Sequence, residues 1–266
     1  MQVIAATRLR RAQQQAQAAR PYAEKMVEVL QTLSERATEY KHPFLERREG
    51  GRALMVLVTT DRGLCGALNV NTIRAATRYL AENHPQEQKF VTVGRKGYQF
   101  LARFRRPILA EVSGLSDRPA LGEVLPVLTV ALQEYMEGRA DVILLAYARW
   151  ISTLRQEATV QTLVPLELPH RAEGEGGPTA DYLYEPDPEG VLDVLLPRYV
   201  ESQVYQALLE NKASEYSARM IAMQNATEAA GDLITSLTLT ANKVRQATIT
   251  TELMEIVGGA EALKST

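Results

Sequence analysis

Apolar and polar positions alternate along this chain with two different periods. From Met1 to about Tyr40, steps of four and three residues connect Met1, Ala5, Arg8, Ala12, Gln15, Ala19, Tyr22, Met26, Val29 and Leu33. That spacing predicts one long helix with a coiled-coil seam. The seam is uneven: beyond Tyr22 it carries large apolar groups, whereas Arg10 to Arg20 offers only alanine, glutamine and arginine. Alanine and glutamine favour helix, but a stretch without large apolar groups gains little from packing, so this half needs a partner surface. Pro21 removes one backbone donor and is expected to bend the helix.

From Arg52 to about Leu168 the texture becomes β-rich. The runs "ALMVLV", "KFVTVG", "PILAEVS", "DVILLAYARW" and "ATVQTLVPLEL" read as strands, with helical patterns near Val70–Asn83, Lys96–Phe104 and Ala120–Gly138 between them. Strands alternating with helices predict a layered α/β domain with parallel pairing. The last two runs have no helix between them, so the sheet is expected to end in an antiparallel pair. The segment "RAEGEGGPTADYLYEPDPEG", Arg171 to Gly190, holds four glycines, three prolines and six acids, and reads as loop around a short island at "YLYEP". Arg198 to Thr266 contains no proline, and Gly231, Gly258 and Gly259 are its only glycines. Ile249, Leu253, Ile256, Ala260 and Leu263 keep four–three spacing, and Ala226, Ala230, Leu233, Leu237 and Val244 form a similar seam upstream. This second long helix is expected to lie antiparallel to the first, with the α/β domain inserted between them.

Composition changes this picture little. Hydrophobic residues are 45% and charged residues 23% of 266, ordinary for a globular protein, and a net charge of −2 gives no global nucleic-acid footprint. One cysteine excludes an internal disulfide. His42, His84 and His170 show no metal-ligand spacing with it. No apolar run approaches bilayer length. Residues 1–23 hold Arg8, Arg10, Arg11 and Arg20 and no acid, which suits a transit peptide; the lack of serine and of a cleavage boundary speaks against it.

The stretch "TTDRGLCGALNVN", Thr59 to Asn71, follows a strand and opens a helix, the setting in which helix amides cradle phosphate. No G-x-G-x-x-G or G-x-x-x-x-G-K-[ST] occurs, and no lysine follows the two glycines. The turn therefore reads as structural. Cys65 beside Arg62 could be a lowered-pKa thiol, although a partly buried inert one fits better. No G-x-S-x-G, H-E-x-x-H or C-x-x-C is present, so no catalytic constellation stands out. The residues favour a partner-facing rod; a coiled-coil scaffold and a nucleotide-binding α/β enzyme with helical arms stay open on pattern alone.

Four stretches in order carry a family resemblance: "VIAATRLRRAQ", "TTDRGLCGALN", "YLYEPDPEGVLDVLLPRYVESQVYQALLENKASEYSARMIAMQNAT" and "NKVRQATITTELMEIVGGAEAL". Over essentially its whole length the chain resembles the gamma subunits of F-type ATP synthases, the central-stalk rotors. The resemblance implies an antiparallel coiled coil of the terminal helices with an inserted Rossmann-like α/β domain, divided at 1–45, 52–190 and 191–266. It implies a non-catalytic shaft, without cofactor or metal, that couples proton-driven ring rotation to conformational cycling of a catalytic hexamer. The implied partners are three alpha and three beta subunits, the epsilon subunit and the membrane c-ring, with one copy of this chain per complex, no nucleic acid, and indirect attachment to the cytoplasmic face of a bacterial membrane. By position, Arg219, Gln246, Thr250 and Glu252 are implied contacts to the hexamer, Tyr182, Tyr184 and Glu185 implied foot contacts to the ring and epsilon, and Arg8 and Arg11 further implied subunit contacts. Family members carry a further segment before the methionine matching Met1, larger side chains are common where Ala241 stands, and the cysteine-bearing insertion of chloroplast relatives is missing, so thiol regulation is not expected.

Overall fold

The five apolar runs form one sheet of order β3-β2-β1-β4-β5 in the computed structural model, which describes residues 2–36, 42–48, 50–84, 86–167 and 187–264. The strands are β1 (Ala53–Val58), β2 (Gln88–Val93), β3 (Ile108–Val112), β4 (Val142–Trp150) and β5 (Gln156–Val164). β1 pairs in parallel with β2 and β4, β2 in parallel with β3, and β4–β5 closes the sheet antiparallel, as the missing helix between them requires. Central β1 is buried at every position, which is why it reads as unbroken "ALMVLV" rather than as an alternation.

Alternate residues of β1 serve two different cores. Ala53, Met55 and Leu57 pack with Ile73, Ala76 and Leu80 of α2 (Leu68–Asn83) and Leu101 of α3 (Arg95–Arg103). Leu54, Val56 and Val58 face the opposite layer, with Val124, Leu128 and Tyr135 of α4 (Leu121–Met136) and residues of both long helices. The fold is thus the expected α/β sandwich with the terminal helices against one face.

The N-terminal helix α1 spans Gln2–Arg36 and continues through Pro21. Its buried stripe is Ala5, Leu9, Ala12, Ala16, Met26, Leu30 and Leu33. Ala5, Ala12, Met26 and Leu33 are the expected seam residues; at the intervening turns burial falls one residue later, on Leu9, Ala16 and Leu30 in place of Arg8, Gln15 and Val29, while Tyr22 is exposed. Both phases obey four–three spacing. The longer or less polar side chain takes the buried side, because desolvating Arg8 or Gln15 costs more than exposing it.

The C-terminal helix α5 spans Pro188–Lys264. It starts within the stretch read as loop: Pro188 occupies the first helical position, which needs no donor, and the Asp187 carboxylate accepts from Gly190 N at 2.7 Å. It also runs through Pro197, because buried Leu192, Leu196, Tyr199 and Val200 on both sides outweigh one lost backbone bond. α1 pairs antiparallel with the first part of α5, not with its C-terminal end: Met26, Leu30 and Leu33 share a core with Leu192, Leu196 and Val204, and Leu9 and Ala12 share one with Ala213 and Tyr216. The chain divides into two compact units, Met1–Ile221 and Ala222–Thr266. In the second unit the described side chains from 224 to 261 are all exposed, including the seam read from the sequence.

Candidate functional site

The glycine turn after β1 is closed by its own groups. Gly97 N donates to Thr59 Oγ1 (2.8 Å), Lys96 N to the Thr60 carbonyl (3.0 Å), and Arg95 N to Asp61 Oδ1 (3.0 Å). These are the first amides of α3, where an anion would otherwise be held; Asp61 already supplies the negative charge that the helix N-terminus favours. Gly94, at φ +97°, has no alternative, since a Cβ there would lie 2.3 Å from the Thr59 carbonyl oxygen. On the α2 side, Asn69 accepts from Thr60 N (3.0 Å) and donates to Thr60 Oγ1 (2.8 Å) and Cys65 Sγ (3.3 Å). Cys65 is buried, and that burial pushes its thiol pKa up, opposite to the shift a reactive cysteine needs. The turn is a structural device.

What it holds is α5. The Arg219 guanidinium donates to the Gly63 carbonyl (3.2 Å) and to Glu215 Oε1 (2.7 Å), so the turn and the helix are tied by a charge-assisted bond. A turn or two earlier, Asn211 Oδ1 accepts from Ala148 N (3.3 Å) and Ser214 Oγ donates to the Ala148 carbonyl (2.9 Å). Trp150 Nε1 donates to Ser217 Oγ at 3.1 Å. β1 stops pairing with β4 at Ala146, two residues before, and α5 side chains take over both backbone groups of Ala148. A second tie runs from α1: Arg8 Nη1 donates to Asp117 Oδ1 (3.3 Å), and the Tyr216 hydroxyl donates to the same oxygen (2.6 Å). Burial first, and donation to Asp117 next, push the Tyr216 pKa up. Sequence reading missed this polar joint; its one signal was Asn211, Ser214 and Ser217 at three-residue spacing within an otherwise apolar face.

The residues singled out from the sequence separate into three groups. Arg8 and Arg219 are engaged within the α/β-and-helix unit, as above, while Arg11 is exposed. Gln246, Thr250 and Glu252 are exposed in the second unit, where the Thr250 hydroxyl donates to the Gln246 carbonyl at 2.8 Å. Thr235, Thr238, Thr240, Thr248 and Thr251 do the same one turn back, so these threonines spend their hydroxyls on the helix and present methyl groups. Leu233, Leu237, Val244, Ile249, Leu253 and Ile256, on the same stretch, are 49–68% exposed. Tyr182, Tyr184 and Glu185 lie outside the described residues. Among the described residues no cluster of His, Cys, Asp and Glu could hold a metal ion, and no helix is long and apolar enough to cross a membrane.

Comparison with known proteins bears on the whole chain. The ATP synthase family model matches residues 1–263. The ATP synthase gamma chain of Burkholderia multivorans is 46% identical over 99% of this chain and 92% of its own length, and that of Burkholderia mallei is 45% identical over the same shares. Among solved structures, a chain of the central stalk and c-ring of Tetrahymena thermophila mitochondrial ATP synthase aligns with a TM-score of 0.63 at 22% identity, over 85% of this chain and 97% of that one. A chain of the Euglena gracilis mitochondrial ATP synthase aligns with a TM-score of 0.59 at 21% identity, over 98% and 94%. At such identity these two speak for the fold, whereas the bacterial relatives speak for descent. The chain belongs to the ATP synthase gamma chain family.

Proposed function

We propose that this chain is the central-stalk rotor of an F-type ATP synthase, a coupling subunit with no active site of its own. The observation that carries the reading is the surface of 222–264. A helical stretch of roughly 65 Å at 1.5 Å per residue exposes large apolar groups on several turns, an amount that soluble proteins keep for a partner. Leucine, isoleucine and threonine methyl groups make dispersion contacts without direction, so a surrounding collar can slide past them. Gln246 and Glu252 add directional contacts on different sides, because six residues advance the helix by about 600°. A shaft changes the populations of catalytic states only through unequal contact energy, and such a polar set on an apolar rod supplies the inequality.

In this reading three alpha and three beta subunits surround 222–264, with Arg11 on the hexamer-facing side, one copy of the chain turns inside them, and Tyr182, Tyr184 and Glu185 meet the epsilon subunit and the c-ring. The working parts are an N-terminal segment (1–45) that carries α1, an α/β domain (52–190) and a C-terminal segment (191–266) that carries most of α5. Attachment to the cytoplasmic face of a bacterial membrane is indirect, through the ring, in keeping with the Burkholderia relatives. The joint of Asn211, Ser214, Ser217 and Arg219 passes torque from the α/β domain to α5.

The test is reconstitution. The purified chain should hydrolyse no ATP, and adding it to alpha and beta subunits should restore turnover. Hydrolysis by the chain alone at a rate indifferent to those subunits would overturn the proposal.

A further inference from the structure

Beyond the joint itself, the carboxyl ends of β1, β2 and β3 and the facing turns of α1 and α5 enclose a cavity of about 210 Å³. Its charges do not balance. Five cationic side chains line it against three carboxylates. Each carboxylate is already engaged: Asp61 on Arg95 N, Asp117 by Arg8 and Tyr216, and Glu215 by Arg219. Of the cations, Arg8 and Arg219 are consumed by those pairs. The guanidinium groups of Arg62 and Arg95 have no hydrogen bond or ion pair among the described residues. Lys212 is 7% exposed, and its ammonium makes no hydrogen bond there; the nearest paired carboxylate oxygen, Glu215 Oε2, is 3.7 Å away. Glu215 Oε2 in turn is buried and accepts no hydrogen bond among the described residues.

Lys212 and Glu215 Oε2 thus form a buried ion pair at 3.7 Å, too long for a hydrogen bond, so the hydrogen-bonding capacity of both groups stays unmet, which is costly in a buried place. One ligand class answers both. A tetrahedral oxyanion offers ionised oxygens to Lys212, Arg62 and Arg95, and if it carries a proton, its hydroxyl donates to Glu215 Oε2. We propose that this cavity is a binding site for inorganic hydrogen phosphate. Sulfate has the shape and charge but no proton to donate at neutral pH. A phosphate monoester dianion lacks the donor too. The cavity holds such an ion with a few waters of about 30 Å³ each, and is smaller than the roughly 300–1,000 Å³ pockets that hold drug-sized ligands, which argues against a nucleotide. Arg62 sits on the glycine turn, Arg95 at the start of α3 and Lys212 on α5, so the ion bridges the same elements that Arg219 ties. Bound phosphate therefore stiffens the joint, by the usual linkage between ligand and folded state.

The site does not depend on the rotor reading and is tested on the purified full chain. Isothermal titration with inorganic phosphate, sulfate and methyl phosphate at constant ionic strength measures binding directly. Thermal unfolding in the same solutions separates a bound ion from general salting-out, since phosphate and sulfate both strengthen burial non-specifically. Saturable binding of phosphate, with sulfate and the monoester at least about tenfold weaker, is expected. Arg62→Ala combined with Arg95→Ala, both exposed positions, should weaken phosphate at least about tenfold while leaving the ion-free Tm near that of the parent. Lys212→Met should abolish binding. No saturable phosphate binding, equal affinity for sulfate, tighter binding of the monoester, or unchanged affinity in the double arginine variant would each overturn the proposal.

Discussion

The two stretches of α5 on either side of Ile221 have similar sequence texture and opposite surroundings. From Leu192 to Tyr216 the helix buries leucines, valines and tyrosines, and seats Asn211, Ser214 and Ser217 on strand β4 and its end. From 224 to 261 an equally regular apolar seam is exposed along its length. Hydrophobic spacing announces that a helix has a partner; it is silent on whether the partner is the same chain or another one. The polar groups tell the two cases apart. In the first stretch they are paired with backbone far away in sequence, whereas in the second the threonine hydroxyls return to their own helix. A surface of methyl groups suits a partner that must move.

Substitutions can break this contrast, beginning with the largest effect. Leu196→Ala, at a position with no exposed area, should destabilise the isolated chain by about 2–5 kcal/mol, read by denaturant unfolding. Leu253→Ala, 57% exposed, should cost within about 0.5 kcal/mol in the same experiment and yet lower ATP turnover of the assembled complex. Equal losses of stability at the two sites would remove the distinction between an internal and an external partner.

Next comes the joint. Ser214→Ala removes the donor to the buried Ala148 carbonyl and should cost about 1–3 kcal/mol. Arg219→Lys keeps the charge but not the forked reach to Gly63 and Glu215, so hydrolysis by the complex should survive better than proton pumping. Parallel loss of both activities would indicate failed assembly instead.

A smaller effect concerns acid. Hydrogen bonds from Arg52 hold Asp141 below its ordinary carboxylate value of 3.8, against the opposing influence of burial. Because the folded pKa is the lower one, this ion pair stabilises the fold fully above that ordinary value and is lost as pH falls through the folded value. Unfolding free energy measured from neutral pH down past 3.8 should therefore fall less steeply for Asp141→Asn than for the parent. An unchanged slope would mean that other carboxylates govern the acid limb. The smallest effect is Thr250→Ala: its hydroxyl bonds only its own helix, so isolated stability should move by no more than about 0.5 kcal/mol.

Much of the architecture was legible in advance. The strands read from "ALMVLV" to "ATVQTLVPLEL" match those observed, because buried parallel strands are marked by unbroken apolar runs and an edge pair by the absence of an intervening helix. α5 starts inside the stretch that glycines and prolines mark as loop, because Pro188 stands where no donor is needed and Pro197 is held by packing on both sides. The site was less legible. The resemblance implied Arg219 as a hexamer contact, and no local pattern announced that its guanidinium is bound to a turn 156 residues away in sequence.

The sequence alone therefore determined the kinds of element, their order, the presence of a partner-seeking rod and the family, since each is written in local periodicity or in contiguous stretches of residues. Tertiary structure decided which of two neighbouring positions, Arg8 or Leu9, Val29 or Leu30, turns inward, because a repeat of three and four residues leaves adjacent positions equivalent until a second surface selects between them. It also decided that Asn211, Ser214 and Arg219 serve the strand end and the glycine turn, and that Lys212 and Glu215 meet the unpaired arginines around one cavity. Those encounters join residues more than sixty positions apart, and no local pattern encodes where a chain returns to itself.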